Sequence, residues 1–132
     1  MRSKFEARIA KDLKDRGIKY EYEAYSYEYK EPLRRNRAEC MDCGSSNLQR
    51  TGWYTPDFFL GKGTIIECKG RFTASDRRKM LAVRTAHKDL KDIKLLFMKD
   101  NKIHRKSSTC YSDWAMENGF DFSIGTLKDT WL

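Results

Sequence analysis

The chain has 132 residues, which is enough for one domain with a hydrophobic core and leaves no room for a second. Its 27 lysine and arginine residues outnumber 19 aspartate and glutamate residues, and the formal net charge of +8 favours an anionic partner. No segment contains the roughly 20 consecutive apolar residues of a transmembrane helix. These features exclude a membrane-spanning protein and predict a soluble intracellular domain without a membrane partner.

The first predicted element is a helix that begins at Ser3, forms a capping-box pattern with Glu6 and ends at Gly17. A half-buried strand follows, in which apolar and charged residues alternate over residues 18–24. The tyrosines in residues 25–29 continue the alternation on the opposite parity. Either a bulge or a strand that leaves one sheet to join another body explains this change.

Residues 30–52 are predicted to be irregular, and they include a short basic run. Its arginines are Arg34, Arg35 and Arg37. A basic loop of this kind suits contacts with DNA phosphates, and it is equally compatible with a loop that is merely charged.

The same irregular segment contains Cys40-x-x-Cys43 followed by Gly44, the spacing of half a zinc site. Structural zinc takes four ligands, which a symmetric dimer could supply as a second cysteine pair across its twofold axis, or to which Cys110 or His104 could contribute within the chain. The alternative is two reduced thiols in an insertion, and the sequence leaves both possibilities open.

Two short strands rich in aromatic and β-branched residues flank a turn at residues 61–63. A three-residue hairpin loop there places Asp57 directly opposite Glu67, and alternation puts Lys69 on the same face as Glu67. Apolar residues on both faces predict a strand pair inside a sheet, with partly buried charges. Since buried carboxylates need a metal ion or a matched cation, this cluster is the candidate catalytic site. A pair of surface ion pairs on an edge hairpin is the alternative.

A second helix is predicted from Thr73 or Ser75 to about Leu90, and three cations are expected in its first turn. They are Arg77, Arg78 and Lys79. Cations are unfavourable at a helix N-terminus, so a phosphate partner would compensate, although a solvated surface is the other interpretation.

The remaining pattern predicts a buried strand over residues 93–98 and a short strand over 103–105. A last helix is expected to start at Ser108 or Thr109 and to end at Gly119. Apolar residues in the tail, 120–132, predict that it packs against the domain. Together these elements describe an α/β protein with a mixed sheet flanked by helices.

Several of these stretches resemble the phage endonuclease I family, the Holliday-junction resolvases of T-odd coliphages. The matching segments are residues 3–6, 17–23, 54–58, 66–70, 76–79, 83–84 and 112–119. The resemblance implies a restriction-endonuclease-like fold and a domain-swapped homodimer. Residues 1–29 would be exchanged between subunits, and residues 30–52 would form the bridge.

The resemblance also implies the chemistry, which is metal-dependent cleavage of four-way and branched DNA by a phage protein in the bacterial cytoplasm. Glu6 from one subunit would join Asp57, Glu67 and Lys69 of the other. The three carboxylates would bind Mg²⁺ or Mn²⁺, and Arg84 would join the DNA-binding residues. Two alternatives stay open: a general restriction-like nuclease on duplex DNA, and a catalytically silent, zinc-stabilised DNA-binding module.

Overall fold

The computed structural model describes residues 3–32, 49–88, 90 and 92–132. Its elements in chain order are helix α1 (Lys4–Asp15), strands β1 (Tyr20–Tyr22), β2 (Tyr27–Pro32), β3 (Gln49–Tyr54), β4 (Phe58–Leu60) and β5 (Ile65–Lys69), helix α2 (Ala74–Ala86), strand β6 (Ile93–Phe97), helix α3 (Tyr111–Glu117) and strand β7 (Asp121–Ile124). None of these helices is long and apolar enough to cross a membrane.

Five strands form one mixed sheet in the order β1-β4-β5-β6-β7, and β2 and β3 form a separate antiparallel pair. Strands β1, β4 and β5 are antiparallel neighbours, whereas β5, β6 and β7 run parallel. Parallel neighbours need a crossover connection, and α2 and α3 supply the two crossovers. The predicted mixed sheet with flanking helices is therefore confirmed.

The central hairpin has the register that the loop length predicts. Phe59 pairs with Ile65 and Phe58 with Ile66, around a 3₁₀ turn at Gly61–Gly63. Continuing this register places Asp57 opposite Glu67, as predicted. Because side chains alternate, Phe58 and Ile66 lie on one face of the sheet and Phe59 and Ile65 on the other. Each pair packs into the hydrophobic core on its own face.

The two cores lie on opposite faces of the five-stranded sheet. On one face, α1 and the C-terminal tail pack on the strands through residues such as Ile9, Leu13 and Trp131. On the other face, α2 and α3 contribute Met80, Val83 and Ala115. The tail therefore packs down as predicted, and it also forms β7, which the sequence pattern did not predict.

The change of parity among the tyrosines marks a change of sheet. Strand β1 pairs with β4 in the large sheet, whereas β2 pairs with β3 in the small one. Between them Glu23 has a φ of 49°, and its backbone N–H donates to the Asp57 carbonyl at 3.1 Å. Of the two explanations, the strand that leaves one sheet to join another body is correct.

The prediction of an irregular segment over residues 30–52 is wrong at both ends. Strand β2 continues to Pro32 and β3 begins at Gln49, so the two ends of the segment pair with each other. Period-2 alternation is weak in β3, where Gly52 interrupts it, and this explains the error.

Two helix boundaries and one predicted strand also differ from prediction. Helix α2 ends at Ala86 because His87 leaves helical geometry, and its imidazole is instead hydrogen-bonded to the Glu28 carbonyl. Helix α3 begins at Tyr111, after Cys110 as N-cap. Residues 103–105 form a turn beside an isolated bridge between Lys102 and Cys110 rather than a strand.

Within this chain, α1 and β1 pack against β4 and β5. An exchange of residues 1–29 would involve a second copy of the chain, and it stays a prediction.

Candidate active site

Three of the predicted site residues lie together where β4 and β5 meet. Asp57 precedes β4, whereas Glu67 and Lys69 are both carried by β5. Asp57 and Glu67 are each only 4% exposed, and Asp57 Oδ2 accepts a hydrogen bond of 2.8 Å from the Cys68 backbone N–H. The hairpin thus holds two carboxylates in the interior. The backbone of β5 orients the side chain of Asp57, which precedes the neighbouring strand β4.

Glu67 is the least compensated of these groups. Among the residues that the structure describes, its Oε2 atom and the hydroxyl of neighbouring Tyr54 are both buried without a hydrogen bond of normal geometry, although Tyr54 and Asp57 interact with the Glu67 carboxyl. Burial, and next the negative charge of Asp57, raise the pKa of Glu67 well above its usual value. Burial also raises the pKa of Asp57. Such a pair of carboxylates is costly unless a cation compensates it.

Glu6 brings a third carboxylate to the same place from α1. Ser3 caps this helix, since its hydroxyl accepts a 3.0 Å hydrogen bond from the Glu6 backbone N–H. The Glu6 side chain is 8% exposed, and its Oε2 accepts a 2.6 Å hydrogen bond from the Tyr22 hydroxyl. The helix cap therefore uses the backbone of Glu6, and the carboxylate remains available to the site.

Lys69 is held by a residue that the sequence analysis did not assign to the site. Its Nζ lies 3.5 Å from Asp76 Oδ1, while Asp76 Oδ2 accepts hydrogen bonds of 3.0 Å from both the backbone N–H and the hydroxyl of Thr73. Burial lowers the pKa of Lys69, but the charges of Glu67, Asp76 and Asp57 outweigh it, and the net pKa is raised. The Thr73-x-x-Asp76 capping pattern directly after β5 was the available signal.

These side chains surround a cavity of about 290 Å³. Its lining includes Glu6, Asp57, Glu67 and Lys69, together with Tyr54 and Lys79. The cavity is thus where the predicted catalytic residues converge.

The donor set fits a hard divalent cation. No three acidic, histidine or cysteine side chains form a ready ligand group within the described ranges. Mg²⁺, however, needs only one or two carboxylates, because waters and substrate phosphates complete its shell. Asp57 and the unpartnered Oε2 of Glu67 meet that requirement, with Glu6 nearby in the cavity.

The basic residues of α2 point in different directions. Because the helix begins at Ala74, its first turn contains the acidic Asp76, and the predicted placement of the cations there is wrong. Arg77 donates to the Phe72 carbonyl at 2.7 Å, and Arg78 lies beside β2. Only Lys79 reaches the active-site cavity, where its Nζ lies 5.7 Å from the centre of the Tyr54 ring.

Arg84 makes contacts within the domain. Its guanidinium donates to the Asn118 carbonyl at the end of α3 and lies 4.2 Å from the centre of the Phe120 ring. This arrangement joins α2 to α3. The DNA-binding roles of Arg84 and of the three cations before it stay predictions.

Several predicted residues lie outside the described ranges. They are Arg34, Arg35, Arg37, Cys40 and Cys43. Zinc binding by the two cysteines stays a prediction, and elemental analysis that finds about one zinc per two chains would support a dimer-shared site.

Comparisons with known proteins agree with the geometry. The family model described as phage endonuclease I matches residues 1–132. "Endonuclease I" of Escherichia phage T7 is 30% identical over 132 residues, which cover 99% of this chain and 77% of that protein. "Endodeoxyribonuclease 1" of Enterobacteria phage T3 is 35% identical over 123 residues, covering 92% and 70% respectively.

Proposed function

The chain belongs to the phage endonuclease I family, and on that premise we propose that this endodeoxyribonuclease is metal-dependent and resolves four-way DNA junctions by paired phosphodiester hydrolysis. The observation that carries the proposal is the unpartnered, buried Glu67 Oε2 beside Asp57 and Lys69 in one cavity. A structural ion pair would have satisfied that oxygen. A site that binds a metal ion, in contrast, needs such a carboxylate oxygen as a ligand.

Each residue of the candidate active site has its own role in this proposal. The Cys68 N–H binds Oδ2 of Asp57 and so orients this carboxylate at the cavity that it lines. Lys69, which Asp76 holds, presents an ammonium group to the phosphate or to the attacking water. Tyr22 steadies Glu6 at the cavity. A divalent cation bound by the carboxylates would stabilise negative charge on the reacting phosphate and lower the pKa of a bound water.

A four-way junction is resolved by cutting two equivalent strands, so paired cleavage requires two active sites. A homodimer supplies them, one for each strand. The positive net charge suits recognition of the DNA backbone and its geometry rather than base sequence. The preference for branched DNA and the dimer are therefore parts of the same proposal.

The test compares a fixed four-way junction with a linear duplex of the same sequence, each with and without Mg²⁺. We expect paired symmetric nicks in the junction alone and only with the metal. Equal cutting of both substrates would replace junction resolution by general nuclease activity. Cutting that persists in a chelator would exclude metal dependence.

A mixed dimer tests the predicted exchange of residues 1–29. One subunit carries Glu6→Ala and the other Asp57→Ala. If α1 is exchanged, one site contains both substitutions and the other is intact, so the mixed dimer nicks one strand. If each chain completes its own site, both sites are damaged and the mixed dimer is inactive. Each homodimeric variant serves as the inactive control.

A further inference from the structure

A second cleft lies next to the N-terminus of α2, outside the active-site cavity, and its lining is strongly basic. It has a volume of about 290 Å³. Four of its residues carry basic side chains: Arg71, Lys102, His104 and Arg105. We call this set the basic cleft. Arg71 comes from the β5–α2 connection and the other three from the β6–α3 connection, so two distant segments converge on it.

The β6–α3 connection is an ordered platform for these side chains. The Ile103 N–H donates to the Thr109 carbonyl at 2.8 Å, and the Tyr111 N–H donates to the Asn101 carbonyl at 2.9 Å. Near the start of the connection, Asp100 accepts hydrogen bonds from the N–H and hydroxyl of Ser112 in α3. The loop is thus closed on itself and tied to α3, which fixes where its cations are presented.

Arg71, Lys102 and Arg105 of the basic cleft have no carboxylate partners within the parts of the chain that the structure describes, whereas some other surface cations do. Lys94 and Lys128, for example, both bind Asp121. Like charges that share a small cleft repel one another, and an anionic ligand removes that cost. A phosphodiester is an anion that fits a cleft of this size and suits arginine donors.

Side-chain contacts connect the basic cleft to the active site. Thr73 lines the basic cleft and donates to Asp76, and Asp76 in turn contacts Lys69, which lines the active-site cavity. The two cavities are therefore separated by a single helix cap. Successive phosphates of one DNA strand advance only about 3.4 Å along the helix axis, so phosphates within a few nucleotides of the cleaved bond lie close enough to span two neighbouring cavities.

We propose that the basic cleft binds a backbone phosphate of the DNA within a few nucleotides of the cleaved bond. The inference rests on the proposed function, since it assigns a second contact point for the same substrate. The cleft would set the position of the strand, and the Thr73–Asp76 cap would keep that contact in a constant relation to Lys69.

The test uses the double variant Arg71→Gln/Arg105→Gln. The matched control is Lys11→Gln/Lys14→Gln, which removes two charges from exposed positions of α1. Binding to a fixed four-way junction is measured in a chelator over a range of NaCl concentrations. We expect the salt slope of the cleft variant to fall by about two, one for the phosphate lost at each of the two clefts of the dimer. Its affinity should fall roughly tenfold at ~0.1 M salt, beyond any change in the control.

A charge-preserving variant, Arg71→Lys/Arg105→Lys, should retain most of the salt slope and of the affinity. Thermal unfolding of each variant checks that the fold is unchanged. If the glutamine variant matches the control while the wild type binds and cuts junctions, phosphate binding by the basic cleft is overturned and the proposed function stands. If the wild type neither binds nor cuts DNA, both proposals fail.

Discussion

Two groups of acidic and lysine residues lie on the five-stranded sheet, one in the active site and one beside β6 and β7. The pKa values of their carboxyl groups are shifted in opposite directions. In the active site, burial raises the pKa of Asp57 and of Glu67. At the β6–β7 side, Asp121 accepts hydrogen bonds from Lys128 at 2.9 Å and from the Trp131 indole at 2.7 Å. There burial raises the pKa, but the hydrogen bonds from Lys128 and Trp131 and the charges of Lys128 and Lys94 together outweigh it, so the net pKa of Asp121 is lowered.

The difference lies in how completely each carboxylate is satisfied. Asp121 is partly exposed and surrounded by donors, so its charge contributes to the native fold. Glu67 is buried with an unpartnered oxygen, so its charge opposes folding until a ligand compensates it. A buried carboxylate that costs stability is typical of a functional site, and the contrast separates the proposed catalytic carboxylates from the structural Asp121.

The largest expected effect is the loss of cleavage when the active-site carboxylates are neutralised. Asp57→Asn or Glu67→Gln should reduce kcat by ~10³-fold or more, because several kcal/mol of transition-state stabilisation depend on these groups. Junction binding should persist. Single-turnover cleavage and equilibrium binding measure the two effects separately.

Asp121→Asn is the matched control from the other group. It should leave cleavage unchanged and destabilise the fold by less than about 1 kcal/mol, because partly exposed ion pairs are weakened by solvent. If Asp121→Asn abolished cleavage, or if Glu67→Gln left it intact, the distinction between the two groups would be wrong.

A smaller effect is expected at Asp76, which combines both behaviours because it is satisfied by Thr73 and also holds Lys69. Asp76→Asn can keep the helix cap but loses the charge that faces Lys69. We expect kcat to fall about tenfold to a hundredfold through misplacement of the ammonium group, with little change in KM.

Thr73→Val provides the comparison for Asp76. It removes the capping hydroxyl and should lower the free energy of unfolding by about 1 kcal/mol, with a smaller change in kcat. A purely structural Asp76 would instead lose stability without a selective fall in kcat.

The smallest expected effect is the pH dependence of stability, measured by urea unfolding in a chelator. Because folding raises the pKa of Glu67, the folded state holds its proton more tightly, and stability should fall as the pH rises above the usual value of 4.5. Glu67→Gln should reduce that decline, to which Asp57 also contributes because its folded-state pKa is raised as well. Folding lowers the pKa of Asp121, so its contribution is present above 3.8 and is lost as the pH falls through the folded-state pKa.

Asp121→Asn should therefore reduce stability at neutral pH and change it little in acid, the reverse of Glu67→Gln. If both variants showed the same pH trend, the two groups would not differ electrostatically in the way the structure indicates.

Local sequence rules predicted the centre of the site well. A three-residue turn and period-2 alternation were enough to place Asp57 opposite Glu67 and to assign the two faces of the hairpin. They failed where distant segments decide the outcome. Helix α2 ends at Ala86, where the His87 side chain contacts β2, a strand that lies far away in the sequence.

The same division holds for the functional residues. The sequence by itself determined the hairpin register, the acidic pair with its lysine and the capping serine of α1, because each depends on neighbours within a few residues or on one short loop. Only the tertiary structure decided that Tyr22 holds Glu6 and that Asp76 holds Lys69. It also brought two connections together in the basic cleft. These contacts join residues whose proximity depends on sheet order and helix packing, which no local pattern encodes.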